Sequence, residues 1–178
     1  MLEIEVKIRV GDLRPVRSRL IEAGASAPER AHERDIYYNA PDRDFTRTVE
    51  ALRVRYSGDH CVLTYKGAKL PGYSAKAREE LSTSVESGLI LEQILERLEF
   101  KRTAEVEKIR EYYRFGTASV ALDEVKGLGS FVEIERCTTG EGHNLQREIK
   151  EIARELGIHG EPIRSSYLEL LQSIKKVT

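Results

Sequence analysis

Residues 2–10 read Leu2-Glu3-Ile4-Glu5-Val6-Lys7-Ile8-Arg9-Val10, a strict alternation of apolar and charged side chains. A period of two marks a β-strand with one face in a core and the other among charges or water. Gly11-Asp12 breaks the run, and Asp12 is suited to cap a helix reaching about Ala23, with Leu13, Val16 and Leu20 on one face and Gly24 as its stop. Residues 31–38 read as a second strand ending in Ile36-Tyr37-Tyr38, and Asn39-Ala40-Pro41-Asp42 is turn chemistry. Leu52-Arg53-Val54-Arg55-Tyr56 alternates again, and Ser57-Gly58-Asp59 turns the chain into a strand at 61–66.

A Gly/Pro-containing loop (67–72) leads to a strand at 74–83. An apolar helix at 86–99 follows, offering either a homodimer face or a cover for the sheet. Strands at 105–115, 118–125 and 131–137 and helices at about 142–156 and 164–176 complete the chain. About eight strands joined mostly by short turns predict an α+β fold with a largely antiparallel sheet. Such a sheet either packs on a second layer or closes into a barrel. No linker, repeat or shift in composition divides the chain, so one domain over 1–178 is expected.

The 178 residues carry 29 Lys+Arg against 30 Asp+Glu, a net charge of −1. That balance argues against a basic nucleic-acid platform, which needs a large positive excess. The two cysteines, Cys61 and Cys137, do not make a secreted disulfide framework. The N-terminus has no apolar signal region, and no apolar run approaches the ~20 residues that cross a bilayer. A cytoplasmic protein without nucleic-acid or membrane partners is expected. His32, His60, His143 and His159 occur singly and read as surface or loop residues, and Tyr37/Tyr38 and Tyr112/Tyr113 read as wall and core.

The charges sort by strand face. Glu3, Glu5, Lys7 and Arg9 share one; Arg53 and Arg55 a second; Lys76, Arg78 and Glu80 a third; Lys108, Arg110 and Arg114 a fourth; Glu133 and Glu135 a fifth; Thr64 and Lys66 a sixth. Solvated outer faces are the bland reading for any single strand. The repetition favours a different one, a wet lumen with these faces turned inward. A dry lumen could not hold the charges unpaired. Cations there would grip phosphate oxygens, arginine bidentately. Glu-x-Glu on a strand points two carboxylates the same way, about 6.5–7 Å apart, so they converge on one divalent ion or flank two. Mg²⁺ and Mn²⁺ prefer such oxygen ligands. Asp123 and Glu124 alternate faces, so only one of them faces the lumen.

These residues resemble the CYTH superfamily, which groups class IV adenylyl cyclases with thiamine triphosphatases. Glu3-Ile4-Glu5-Val6-Lys7 resembles its ExExK signature. In the expected order come Leu52-Arg53-Val54-Arg55, Leu63-Thr64-Tyr65-Lys66-Gly67, Ala77-Arg78-Glu79-Glu80 and Lys108-Ile109-Arg110, then the stretch from Leu122-Asp123-Glu124 to Val132-Glu133-Ile134-Glu135, and Ser166-Tyr167-Leu168-Glu169-Leu170-Leu171. The resemblance implies an eight-stranded antiparallel β-barrel, the triphosphate tunnel, with helices outside. It implies Mg²⁺ or Mn²⁺ as cofactor and ATP or another triphosphate compound as substrate.

Carried over by position, Glu3, Glu5, Glu133 and Glu135 would bind metal, with Asp123 assisting. Lys7, Arg53, Arg55, Lys66, Lys76, Arg78, Lys108 and Arg110 would hold phosphates, with Arg164 at one tunnel end. Lys7, Glu80 and Arg110 stand nearest the chemistry. One departure is Ser82, where the family often carries a second Glu after Arg78-x-Glu80.

Two reactions fit such a site. In a cyclase the ribose 3′-hydroxyl attacks the α-phosphate and expels pyrophosphate; in a triphosphatase water attacks the terminal phosphate. Both rely on positioning and charge neutralisation. The compact length, the His32–Tyr38 strand and the Leu122–Glu133 stretch resemble the class IV cyclase branch more, and no residue announces adenine recognition. A non-catalytic polyphosphate-binding module would keep the Arg/Lys set without needing both Glu pairs.

Overall fold

The computed structural model describes residues 2–26, 28–71, 76–138 and 143–175; the side chains of Leu2, Lys76, His143 and Lys175 lie outside the description. Eight strands run in the order β1 (Leu2–Val10), β2 (Glu29–Asn39), β3 (Ala51–Ser57), β4 (His60–Lys66), β5 (Lys76–Val85), β6 (Lys101–Phe115), β7 (Ala118–Val125) and β8 (Gly129–Thr138). They close into an antiparallel barrel ordered β1-β5-β4-β3-β2-β6-β7-β8. β1 joins the two ends of the sheet: Ile4 lies opposite Ala77 on β5, and Glu5 and Lys7 lie opposite Glu135 and Glu133 on β8.

Closure turns the amphipathic strands outside in. The apolar face of β1 (Ile4, Val6, Ile8) points outward and is covered by helices. These are α1 (Arg14–Glu22), through Val16 and Leu20, and α4 (His143–Glu155), through Ile149 and Ala153. A second apolar cluster, with Ile36, Tyr38 and Val54, lies under Leu95 of α3 (Gly88–Arg97). A third gathers Tyr37, Val106, Phe131 and Leu128 beneath Tyr167, the first residue of α5 (Tyr167–Lys175). The charged faces are left to line the interior.

Local sequence fixes where these helices start and stop. Pro15 opens α1 where no helical N–H is needed, and Gly24, at φ 79°, ends it. Ser87 caps α3, its Oγ accepting the Ile90 N–H at 3.3 Å. Gly88 is required there: a Cβ would stand 2.5 Å from the Tyr56 ring. Ser166 and Glu169 form a reciprocal capping box on α5, the Ser166 N–H donating to Glu169 at 2.6 Å. α2 (Phe45–Thr48), a single turn capped by Asp44, follows the Asn39–Asp42 turn in a stretch for which the sequence pattern predicts no element. Among the described residues no helix is long and apolar enough to cross a membrane.

Candidate active site

The lumen opens into a cavity of about 260 Å³ lined by side chains from all the strands except β7, and by residues from α2 and α5. Its two walls differ in how their charges are matched. On the β1/β8 side Lys7 is almost wholly buried. Its Nζ donates to Glu5 at 3.0 Å, pairs with Glu133 at 2.9 Å and reaches the Ser165 carbonyl at 3.3 Å. Burial pushes its pKa down, but Glu133 and Glu5 outweigh that and raise it.

Glu3 has Lys66 as a nearby cation among the described side chains, at 3.4 Å, and faces Glu80, Glu135 and Glu5. Burial, the hydrogen bond to Glu80 and the other carboxylates push its pKa up to about 8. Glu135 is raised by burial, with Glu5 and Glu80 adding to the effect. Glu80 is lowered: burial opposes this, but a hydrogen bond from Glu3 and the charges of Lys66 and Arg53 prevail.

The opposite wall, from β2, β3 and β6, is densely paired. Asp35 accepts Arg55 bidentately at 2.6 and 2.8 Å and Lys108 at 3.0 Å, with Arg53 at 3.8 Å. Burial alone would raise Asp35, but Lys108, Arg55 and Arg53 hold it well below the usual carboxylate range. Glu33 is also lowered, against burial, by Lys108 and Arg55. Lys108 is lowered by burial and by the like charges of Arg55 and Arg110, which outweigh Asp35 and Glu33. Arg110 pairs with both Asp123 and Glu133, and Asp123 also accepts the Tyr167 hydroxyl at 2.6 Å.

Among the described residues two donors of this network have no partner. The Nε groups of Arg53 and Arg78 are buried and make no hydrogen bond. A buried, orphaned guanidinium N–H is costly unless a ligand oxygen completes it. Arg53 already donates its Nη2 to Thr64 at 3.2 Å, so its plane is fixed.

Of the residues expected at the site, Glu3, Glu5, Lys7, Arg53, Arg55, Lys66, Arg78, Glu80, Lys108, Arg110, Glu133 and Glu135 all line the cavity. Asp123 faces inward, but its carboxylate is filled by Arg110 and Tyr167, so it sets the angle of Arg110 and does not face the cavity. Arg164 is exposed and does not line the cavity; the chain around it turns outward between Ile163, whose N–H donates to the Lys7 carbonyl, and the Ser165 carbonyl held by Lys7. The Lys76 side chain lies outside the described residues; its backbone pairs with Glu5. Arg9 leaves the lumen to donate to the Leu128 carbonyl and lie over Phe131.

Glu33, Asp35, Tyr112 and Tyr167 were not anticipated as site residues. A signal for the acids was present, because Glu33, Asp35 and Tyr37 alternate with Arg34, Ile36 and Tyr38. Tyr167 had none, since it reaches the lumen from a helix, sitting 4.3 Å from the Lys7 ammonium.

The donor set fits a divalent metal. Among the described residues no three acidic, His or Cys side chains form a ready-made cage. Mg²⁺, however, is commonly held by one or two carboxylates with substrate phosphates and water completing its shell. Glu3, Glu5 and Glu135, crowded together, are carboxylates of that kind.

The CYTH domain family model matches residues 1–167. The chain belongs to the CYTH family. A Methanocaldococcus jannaschii protein provisionally named an adenylate cyclase is 37% identical over 173 residues, covering 96% of this chain and 98% of the relative. A Pyrococcus horikoshii protein of solved structure is 34% identical, with a TM-score of 0.85, and 97% of this chain and 99% of that chain are covered. A Hippeastrum protein, provisionally called an adenylyl cyclase and described as having a dominant triphosphatase activity, shares 19% identity at a TM-score of 0.74. There 97% of this chain and 95% of that chain are covered, and the likeness carries the fold alone.

Proposed function

We propose that this CYTH barrel binds an organic triphosphate together with a divalent metal and acts as a class IV-like adenylyl cyclase, converting ATP to cyclic AMP and pyrophosphate. The observation that carries the reading is the pair of orphaned, buried Nε donors of Arg53 and Arg78 in a lumen that also holds the crowded carboxylates of Glu3, Glu80 and Glu135. Phosphate oxygens complete the arginines. A bare polyanion would be repelled by Glu3, Glu5, Glu80 and Glu135, so it enters with its charge partly neutralised.

Mg²⁺ or Mn²⁺, held by Glu3, Glu5 and Glu135, would supply that neutralisation and the acidity of the attacking hydroxyl. Arg53, Arg55 and Arg78 orient the phosphate chain. Lys108, crowded by Arg55 and Arg110 although paired with Glu33 and Asp35, gains a further anion. Lys7 holds Glu5 and Glu133 at fixed spacing, and Arg110, locked by Asp123 and Glu133, is a rigid cation for charge developing on the leaving pyrophosphate. Glu80 keeps Lys66 beside Glu3. The M. jannaschii relative's name supports the cyclase branch.

Incubation with ATP and Mn²⁺, separating cyclic AMP plus pyrophosphate from ADP plus phosphate, tests the reaction. Cyclic AMP is expected. ADP and phosphate alone would replace the cyclase with a triphosphatase, for which tripolyphosphate and thiamine triphosphate are the further substrates to try. No turnover of any of them leaves a binding module.

A further inference from the structure

Two hydroxyls stand behind Arg53 without lining the cavity. Thr64 on β4 lies opposite Arg53 on β3 and opposite Ser82 on β5, so the three side chains form one row across the barrel wall. Thr64 is fully buried, and neither it nor Ser82 reaches the cavity. Their proton positions follow from counting donors and acceptors among the described residues. The Arg53 Nη2 donates to the Thr64 Oγ1 at 3.2 Å, so the Thr64 hydroxyl spends its own proton elsewhere. Its other partner is the Ser82 Oγ at 3.1 Å, which therefore accepts, and Ser82 in turn donates to the Glu80 carboxylate at 3.3 Å. The row runs in one direction, from guanidinium to carboxylate, and each hydroxyl in it both accepts and donates.

This row sets Arg53 apart from its neighbour Arg55. Arg55 spends its Nε and one terminal nitrogen on Asp35, at 2.6 and 2.8 Å. Arg53 stands two residues earlier on the same face of β3, yet the carboxylates paired with it, Asp35 and Glu80, are 3.8 and 3.9 Å away, beyond hydrogen-bond distance. A neutral hydroxyl takes its Nη2 instead. An arginine gripped by a carboxylate has its donors spent, whereas one held by a hydroxyl is oriented with donors to spare. We propose that Thr64 and Ser82 are positioning residues of the phosphate site: they fix the Arg53 guanidinium so that its unpartnered Nε–H is left for a phosphate oxygen. The proposal rests on the phosphoryl-transfer reading, because it takes the phosphates to occupy the lumen. Thr64 suits the task because its branched Cβ restricts χ1, which limits where the hydroxyl can point. Ser82 takes the Thr64 proton and so keeps a lone pair turned toward Arg53.

The test is a calorimetric titration with inorganic tripolyphosphate in Mg²⁺. Thr64→Val, which keeps the shape and removes the hydroxyl, is expected to weaken binding about tenfold, and Thr64→Ser to stay within about twofold of the unmodified protein. Ser82→Ala, at an exposed position, should weaken binding about threefold. In an Arg53→Lys background, which lacks the guanidinium, Thr64→Val and Ser82→Ala should have no further effect, because a positioning residue acts only through the group that it positions. A further loss of about tenfold from Thr64→Val in that background, or binding unchanged in both Thr64→Val and Ser82→Ala, overturns the positioning role and leaves the phosphate reading standing. If Thr64→Val does not fold, Ser82→Ala measured with and without Arg53→Lys decides alone. Failure of the unmodified protein to bind tripolyphosphate overturns both.

Discussion

The two walls of the lumen hold similar residues in opposite electrostatic states. On the β2/β3/β6 wall every carboxylate has several cations within reach, and Asp35 and Glu33 are driven to lower pKa. On the β1/β5/β8 wall Glu3, Glu5, Glu80 and Glu135 crowd one another, and Glu3 is driven up to about 8. Burial is common to both, so the difference lies in how the acids are placed: beside cations on the first wall, beside one another on the second.

Removing the central acid of the paired wall should have the largest effect. Asp35→Asn leaves Arg53, Arg55 and Lys108 buried without their shared anion. Denaturant unfolding should show a loss of about 3–5 kcal/mol, partly restored by tripolyphosphate. A loss below 1 kcal/mol would mean that this wall is not held by its ion pairs. The matching change on the other wall should act on turnover: Glu5→Gln or Glu135→Gln should lower metal-dependent ATP turnover roughly a hundredfold while the fold is retained. Normal activity in either variant would remove the carboxylates from the chemistry.

The pH dependence separates the walls without any ligand. Asp35 and Glu33 have depressed pKa values, so their stabilisation is present above the ordinary carboxylate range and lost as the pH falls below it. Glu3 is the reverse. Its folded pKa of about 8 exceeds the ordinary 4.5, so its contribution is complete below 4.5 and lost as the pH rises through 8. In EDTA, stability should therefore fall on both sides, and Glu3→Gln should flatten the decline between pH 5 and 8 alone. An identical profile in the variant would show that Glu3 is ionised throughout. The smallest effect is expected from Tyr167→Phe, which removes one of the hydrogen bonds to Asp123 and should cost about 1 kcal/mol, read as a lower unfolding midpoint.

Much of this was visible in the one-dimensional pattern. Leu2–Val10 and Leu52–Tyr56 announce their charged faces by alternation, and twelve of the expected site residues do line one cavity. Asp123 and Arg164 show the limit. Both sit in stretches that match the family, yet Asp123 is filled by Arg110 and Tyr167, and Arg164 is exposed. A strand pattern gives the face of a side chain but not the neighbour that reaches it first.

The amino-acid order alone set the period of each strand, the caps at Ser87 and Ser166, the glycine stop after α1 and the near-cancellation of charge, because these depend on residues within a few positions of one another. Only the folded chain decided that β1 sits between β5 and β8, that Glu3, Glu80 and Glu135 crowd one another, and that α5 brings Tyr167 to the cavity. The reason is that closure of the barrel places side chains more than a hundred residues apart within hydrogen-bonding distance, and the strength of an ion pair depends on that separation and on the water excluded around it.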